Sequence, residues 1–235
     1  MNYTVKEVYD IVNSILNLRD WKNFTETDAE SYDFNVDPEQ YTLANGVSKF
    51  CIIPKDKDYV IKIPFTGMYD ANGWSYNKEL DEYEEQYLDF EGAGAESSSW
   101  DYCAAESEVY MDAKENHVEE FFAETIQVGQ IGYYPIYIQS KCNIVEDIGV
   151  KHVYTSEEVD NIIAKISNQI SRSNYLRIHD MGFVCDIIEN YTLDKVIAFF
   201  QFLGSRGISD LRTSNIGYLV STGKPVLTDY SGFDS

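Results

Sequence analysis

The sequence predicts an α+β protein whose strands and helices are concentrated in different parts of the chain. Five short runs rich in β-branched and aromatic residues lie between residues 41 and 139, with one helical pattern at 102–116 among them. From residue 155 onward, apolar residues recur at helical spacing. Runs of strands followed by runs of helices are typical of the α+β class. At 235 residues the chain is long enough for one large domain or two modest lobes.

The first 40 residues predict a helix followed by a connection. Thr4 and Glu7 have the spacing of a capping box, and the apolar residues that follow recur every three or four positions: Val5, Val8, Val12, Ile15 and Leu16. Residues 21–40 are polar and acidic, contain Pro38 and lack a clear period. We therefore expect residues 1–40 to form an amphipathic helix and a long connection.

Three β-prone runs at 41–46, 49–53 and 59–64 predict a meander. Asn45-Gly46 is a strong hairpin signal between the first two runs, and residues 54–58 provide the next turn. The third run, Val60-Ile61-Lys62-Ile63, places a lysine in an otherwise apolar strand. Taken alone, such a lysine most simply faces solvent.

Residues 66–101 have the composition of an acidic insertion. Ten carboxylates stand against Lys78, and the segment ends in a run of Gly, Ala and Ser at 92–99. Such a charge run is usually a solvated or mobile face. The interleaved aromatic side chains Trp74, Tyr76, Tyr83, Tyr87, Phe90 and Trp100 also allow a flap that binds a basic protein surface.

The helical pattern at 102–116 distinguishes between two candidate glutamates. Glu106 shares one face with Cys103, Val109 and Ala113, whereas Glu108 lies on the opposite face. Glu106 is therefore predicted to point inward, although a position at the rim of an amphipathic helix is an alternative. Two further β-prone runs, 124–129 and 134–139, complete a predicted five-stranded lobe.

The remainder is predicted to be mainly helical. Thr155 and Glu158 suggest a second capping box before an apolar stripe that extends to Ile170. A second helix is expected at 181–189, and Thr192 begins a third that ends at Gly204 or Gly207. These stripes are interpreted as core.

The charge balance limits the classes of partner. The chain has 40 acidic and 18 basic side chains, a net charge of −22. Direct binding to nucleic acid requires a positive surface, so it is not expected. The acidity favours solubility, or an acidic face that docks on a basic partner or imitates nucleic acid. No secretory signal or apolar span is evident, and neither the four cysteines nor the three histidines have metal-ligand spacing, so a reduced cytoplasmic setting is expected.

Oxygen ligands cluster near the end of the chain. Asp210 is followed five residues later by Asn215, and Asp229 comes after a hairpin that turns at 221–224. Carboxylate and amide oxygens, together with phosphate oxygens, are the ligands that Mg²⁺ prefers. This order, D-L-x-x-x-N followed by D-Y-S-G, resembles the catalytic loop and metal-binding segment of the protein-kinase-like superfamily.

The resemblance implies a role for each of these residues. Asp210 corresponds to the base that accepts a hydroxyl proton, Asn215 and Asp229 correspond to the metal ligands, and Arg212 could steady a γ-phosphate. Lys62 corresponds to the strand lysine that contacts nucleotide phosphates, and it would pair with the helix glutamate Glu106.

The resemblance also implies an adenine-binding hinge and a phosphate loop. Residues 139–142 would form the hinge, so Gln139 and Lys141 would contact the nucleotide through their main chain. The hairpin at Gly46 and Ser48 corresponds to the glycine-rich loop, with Ser48 and Lys49 as candidate donors. The implied fold is a two-lobed protein-kinase-like fold. The first lobe, residues 41–141, has five antiparallel strands and one main helix and includes the insertion 66–101. The second lobe, residues 142–235, is reduced and mostly helical.

Three features depart from the family pattern. Ile208 stands where the family has a histidine, the hairpin has a single glycine, and the sequence ends a few residues past Asp229 without an activation segment. The expectation is thus a minimal, truncated kinase fold, similar to small bacterial or phage kinase-like proteins.

Two functions from different classes remain open on the sequence. The first is phosphoryl transfer that depends on ATP and Mg²⁺, to an unidentified protein or small molecule. The second is a catalytically weak or inactive kinase-fold protein that binds a basic partner. The five polar residues of the resemblance, which a pure scaffold does not need, favour the first.

Overall fold

The computed structural model describes residues 1–18, 24, 26–34, 36–46, 48–65, 76–77, 82–83, 102–132, 134–209 and 211–230. These residues show an α+β protein with a five-stranded antiparallel sheet and several helices, which confirms the predicted class. The chain divides into two compact units, one formed by Met1–Ser107 with Thr125–Ser140 and the other by Glu108–Glu124 with Lys141–Ser235. Each unit has its own hydrophobic core.

The first unit is built on the five-stranded sheet, whose strand order is β1-β2-β3-β7-β6. Its strands are β1 (Tyr41–Asn45), β2 (Lys49–Pro54), β3 (Tyr59–Pro64), β6 (Thr125–Ile131) and β7 (Tyr134–Ser140). All neighbouring pairs are antiparallel. The meander and the two later strands predicted from the sequence are therefore confirmed, and β3 has the predicted bounds.

Helix α1 (Val5–Ile15) lies in the apolar core of this unit. It begins as predicted, because the Thr4 side chain accepts a hydrogen bond from the Glu7 N–H. Its buried residues join inward-facing strand residues in one cluster, which includes Val8, Val12, Phe50, Ile52, Ile61, Ile63, Ile136 and Ile138. Because side chains alternate along a strand, the residues between these point to the other face of the sheet.

The described part of the segment between α1 and β1 differs from the predicted connection. It contains a short helix, α2 (Glu26–Ser31), and a fully buried Phe24 whose ring packs edge-on against Phe50 and Phe65. Burial of the Phe24 ring contributes stabilisation that the sequence of residues 21–40, which lacks a clear period, does not indicate.

Two short strands are described within the predicted acidic insertion. β4 (Tyr76–Asn77) and β5 (Glu82–Tyr83) pair antiparallel. The rest of residues 66–101 lies outside the described residues, and with it the predicted partner-binding flap.

Helix α3 (Tyr102–Glu115) follows the phase predicted from the sequence. Cys103, Glu106 and Ala113 are fully buried, whereas Glu108 is exposed. The inward position of Glu106 is thereby confirmed.

The second unit combines helices with a small sheet of order β10-β9-β8. The strands are β8 (Cys142–Ile144), β9 (Ile216–Leu219) and β10 (Pro225–Leu227), and the helices are α4 (Val145–Ile148), α5 (Ser156–Ala164), α6 (Arg172–Tyr175), α7 (Met181–Asn190) and α8 (Leu193–Ser205). Two 3₁₀ turns, Glu119–Phe121 and Thr213–Asn215, complete the described elements.

Helix α5 is shorter than its apolar stripe suggested. It starts with the predicted capping box, in which Thr155 and Glu158 bond reciprocally, but it ends at Ala164. Beyond Ala164 the chain continues as a series of turns, and Ile166 and Ile170 are still buried there. A stripe of buried residues therefore continues past the regular helix.

Among the described residues, no helix has the length and apolarity needed to cross a bilayer.

Candidate functional site

A buried ion pair joins β3 to α3 in the first unit. Lys62 Nζ lies 2.7 Å from Glu106 Oε2, and the side chains are 6% and 0% exposed. Lysine and glutamate are seldom buried without a partner, because removing a charge from water costs several kcal/mol. The structure thus brings together the two first-lobe residues that the resemblance pairs, and Lys62 does not face solvent.

A second lysine contacts the same carboxylate. Lys49 Nζ lies 2.7 Å from Glu106 Oε1, and its side chain is 10% exposed. In the sheet, Cys51 pairs with Lys62, and Lys49 precedes Cys51 by two residues. Both lysines therefore project from the same face of neighbouring strands, so that Glu106 lies between two ammonium groups.

Two neutral side chains complete the surroundings of Glu106. Gln139 Nε2 donates to Glu106 Oε2 at 3.1 Å and to Thr125 Oγ1 at 2.8 Å. Thr125 Oγ1 also lies 3.5 Å from Glu106 Oε2. These two residues form a cross-strand pair of β6 and β7, and both are buried. Several donors around one carboxylate fix its orientation.

Sequence reasoning missed part of this cluster. No sequence pattern indicates Thr125 as a site residue, and the resemblance implies a role for Gln139 only through its main chain and for Lys49 only as a donor to nucleotide. A signal was present for Lys49, because it occupies the polar phase of the alternating run Lys49-Phe50-Cys51-Ile52. The strand register needed to place it beside Lys62 was not readable from that run alone.

The hairpin before β2 holds the candidate residues of the phosphate loop. Gly46 is exposed and its N–H donates to the Lys49 carbonyl at 3.0 Å, which closes the hairpin. The Ser48 carbonyl accepts from the Phe65 N–H at 3.0 Å. These main-chain bonds hold the hairpin against β3, and the Gly46 N–H takes part in them.

The segment predicted as a hinge separates strands of two sheets. Gln139 belongs to β7, Lys141 lies between the strands, and β8 begins at Cys142. The boundary between the two units falls between Ser140 and Lys141. The Lys141 carbonyl accepts from the Val220 N–H at 2.9 Å.

The predicted catalytic loop belongs to the second unit, and Asp210 itself lies outside the described residues. Its neighbours are held by the main chain. Leu211 N–H donates to the Arg177 carbonyl at 3.2 Å, and its carbonyl accepts from the His179 N–H at 3.0 Å. Arg177 Nη1 also donates to the Ile208 carbonyl at 3.0 Å. Ile208 is fully buried.

The two predicted metal ligands, Asn215 and Asp229, are adjacent. The Asn215 carbonyl accepts from the Thr228 N–H at 2.9 Å and from the Asp229 N–H at 3.3 Å. These bonds close the base of the antiparallel hairpin formed by β9 and β10, which was predicted between them. The Ser214 hydroxyl donates to Asn215 Oδ1 at 3.1 Å.

The chemistry of this pair is suited to a hard cation. An amide oxygen and a carboxylate on adjacent backbone segments can contribute two ligands to Mg²⁺, which usually keeps several waters and binds phosphate oxygens as well. No group of three or more His, Cys, Asp or Glu side chains that could hold a metal occurs in the part of the chain that is described. Arg212 is exposed just before the 3₁₀ turn that carries Asn215.

A buried carboxylate supports the strand that follows Asn215. Asp186 on α7 accepts hydrogen bonds from the hydroxyls of Tyr154, at 2.8 Å, and Tyr218 on β9. Burial, reinforced by the bond to Asp186, raises the pKa of both tyrosines well above the usual range. Both hydroxyls therefore stay protonated at neutral pH; Tyr218 anchors β9 to α7, and Tyr154 anchors the segment before α5 to the same helix.

The comparisons with known proteins add no family to this description. No protein-family model, no curated protein and no solved structure matches the chain.

Proposed function

We propose that this protein is a phosphotransferase of the kinase type, which uses ATP and Mg²⁺ and acts on a protein or small molecule. The observation that carries the proposal is the buried Lys62–Glu106 contact of 2.7 Å, formed by a strand lysine and a helix glutamate in the first unit. A pair of this kind is costly to bury, and a known use is to hold a lysine toward the phosphates of a nucleotide.

The second unit supports the proposal through Asn215 and Asp229. The main-chain bonds between Asn215 and Asp229 hold the backbones of these two residues, whose side chains carry an amide and a carboxylate, next to each other at the base of a hairpin. Bound Mg²⁺ would neutralise charge on the phosphate oxygens and orient them.

The chain's own residues have separate tasks in this proposal. Lys62, oriented by Glu106, binds phosphate oxygens, and Asn215 and Asp229 hold the metal. Asp210 accepts the proton of the acceptor hydroxyl, and Arg212 contacts the transferred phosphoryl group. Gln139 and Lys141 bracket the segment whose main chain would bind the adenine base.

Binding of ATP measured by calorimetry, with MgCl₂ and with EDTA, tests the proposal. We expect Mg²⁺ to strengthen binding to the wild-type protein and Asp229→Ala to abolish most of that gain, by about tenfold or more, because a charge-assisted ligand is lost. Asp160→Ala, at an exposed site on α5, is the matched control. Release of ADP from ATP in the presence of Mg²⁺ should likewise be reduced in Asp229→Ala and unchanged in Asp160→Ala. A wild-type protein that binds no ATP under either condition refutes the proposal.

The net charge of −22 supports a second candidate, a kinase-fold protein that acts by docking on a basic partner. The same experiment separates the two functions. Binding of ATP without ADP release, in the presence of Mg²⁺, supports the docking function, whereas release that depends on Asp229 supports phosphoryl transfer.

A further inference from the structure

Glu106 is shared by lysines from two neighbouring strands. Lys49 on β2 and Lys62 on β3 each approach a different carboxylate oxygen at 2.7 Å. The register places them diagonally on one face of the sheet, and both side chains are at least nine-tenths buried. A carboxylate held on both oxygens orients both ammonium groups, not only the one on β3.

The hairpin that precedes Lys49 has fewer glycines than a loop that binds phosphate through its backbone. Loops that bind phosphate through the backbone use several glycines, so that a number of N–H groups can approach the ligand. This hairpin has the single glycine Gly46, and its N–H donates to the Lys49 carbonyl. Positive charge from side chains would have to replace the contribution of such a loop.

The overall charge increases the need for local cations. A protein of net charge −22 repels a polyphosphate at long range. Two lysines on one face provide a stronger local attraction than one. Because an ammonium group carries three N–H donors, a lysine that contacts a carboxylate can also donate to phosphate oxygens.

We propose that Lys49 is a second phosphate-binding lysine, which contacts the polyphosphate of a nucleotide together with Lys62 and takes over the task of the missing glycine-rich loop. This inference rests on the proposed function, since it concerns the same nucleotide site. The ligand class is a nucleoside di- or triphosphate. Affinity should therefore depend on the phosphates more than on the nucleoside.

The test compares Lys49→Gln with Lys55→Gln, a matched change at the exposed turn between β2 and β3. Glutamine can still donate to Glu106 but has no charge. We expect Lys49→Gln to weaken ATP and ADP binding about tenfold or more, and to leave adenosine binding unchanged. Lys49→Arg should restore part of the ATP affinity. Lys55→Gln should behave as the wild type.

A purely structural lysine predicts a different pattern. If Lys49 only supported Glu106, Lys49→Gln would bind ATP as tightly as Lys55→Gln does, because its amide can still donate to Glu106 and keep Lys62 oriented. That outcome overturns the inference while the proposed function stands. Wild-type protein that binds no ATP overturns both.

A measurement on the wild-type chain avoids any folding defect of the variants. ATP should slow acetylation of Lys49 and Lys62 by acetic anhydride, measured by mass spectrometry relative to Lys55. Slowing at Lys62 without slowing at Lys49 contradicts the inference and leaves the proposed function standing.

Discussion

Replacing Glu106 with glutamine should destabilise the first unit strongly. Each lysine lies 2.7 Å from the carboxylate, which at an effective dielectric constant of about 20 corresponds to about 6 kcal/mol of attraction per pair. Desolvation of the three buried charges offsets most of this gain. Removing only the carboxylate leaves both ammonium groups buried beside a neutral amide, so we expect a loss of about 3–5 kcal/mol in the free energy of unfolding.

Urea unfolding monitored by tryptophan fluorescence and circular dichroism measures this loss. With a slope of about 2 kcal/mol per molar urea, the midpoint should fall by about 1.5–2.5 M. Glu108→Gln is the matched control, because Glu108 is exposed on the same helix and should change the midpoint little. Adding Lys49→Met and Lys62→Met to the Glu106 variant should recover much of the stability, because the buried charges are then removed together.

The reasoning fails if Glu106→Gln unfolds within about 0.5 kcal/mol of the wild type, the range expected for surface substitutions. It also fails if the triple variant is less stable than Glu106→Gln alone. Either result would mean that the lysines are hydrated in solution and that the carboxylate does not neutralise a buried charge.

Two further predictions concern the first unit and the tyrosines. Gly129 has φ +148° at the irregularity of β6, and a β-carbon built there would overlap the Tyr9 hydroxyl, which accepts a hydrogen bond from the Gln130 N–H at 2.9 Å. Gly129→Ala should therefore lower the free energy of unfolding in urea by about 1–3 kcal/mol, and adding Tyr9→Phe should recover part of this loss. An unchanged urea midpoint for Gly129→Ala would contradict the expected clash. Burial raises the pKa of Tyr59 and of Tyr110 in the folded protein to about 12. In the unfolded chain the same hydroxyls lose their protons near pH 10. The stability that these residues contribute is therefore full below about pH 10 and is lost as the pH rises toward 12. Urea midpoints at pH 9, 10.5 and 11.5 should fall in that order, and a constant midpoint would contradict the buried positions.

Local patterns predicted the elements well. The alternation in 49–53 and 59–64 gave two strands, and the helical phase at 102–116 selected Glu106 over Glu108, because period 2 and period 3.6 depend only on neighbours in sequence. The buried partner of Lys62 followed from that phase and from the resemblance.

The rest of the cluster depends on contacts between distant segments. Lys49 meets Glu106 because β2 and β3 pair in one register, and Gln139 meets Thr125 because β6 and β7 pair in another. A shift of one residue would reverse the face of each side chain, and the sequence alone does not specify that register. The burial of Phe24 likewise required the neighbouring strands to be in place.

The residues that flank position 210 are held by hydrogen bonds to main-chain groups. Leu211 is held through its own N–H and carbonyl, and the Arg177 guanidinium binds the carbonyl of Ile208. A carbonyl is present whatever the side chain, so positions 208 and 211 can exchange one apolar residue for another without loss of these bonds. Sequence identity should therefore decay faster in this loop than its backbone geometry, and relatives of the chain would be better detected by strand pairing and burial than by the letters of a motif.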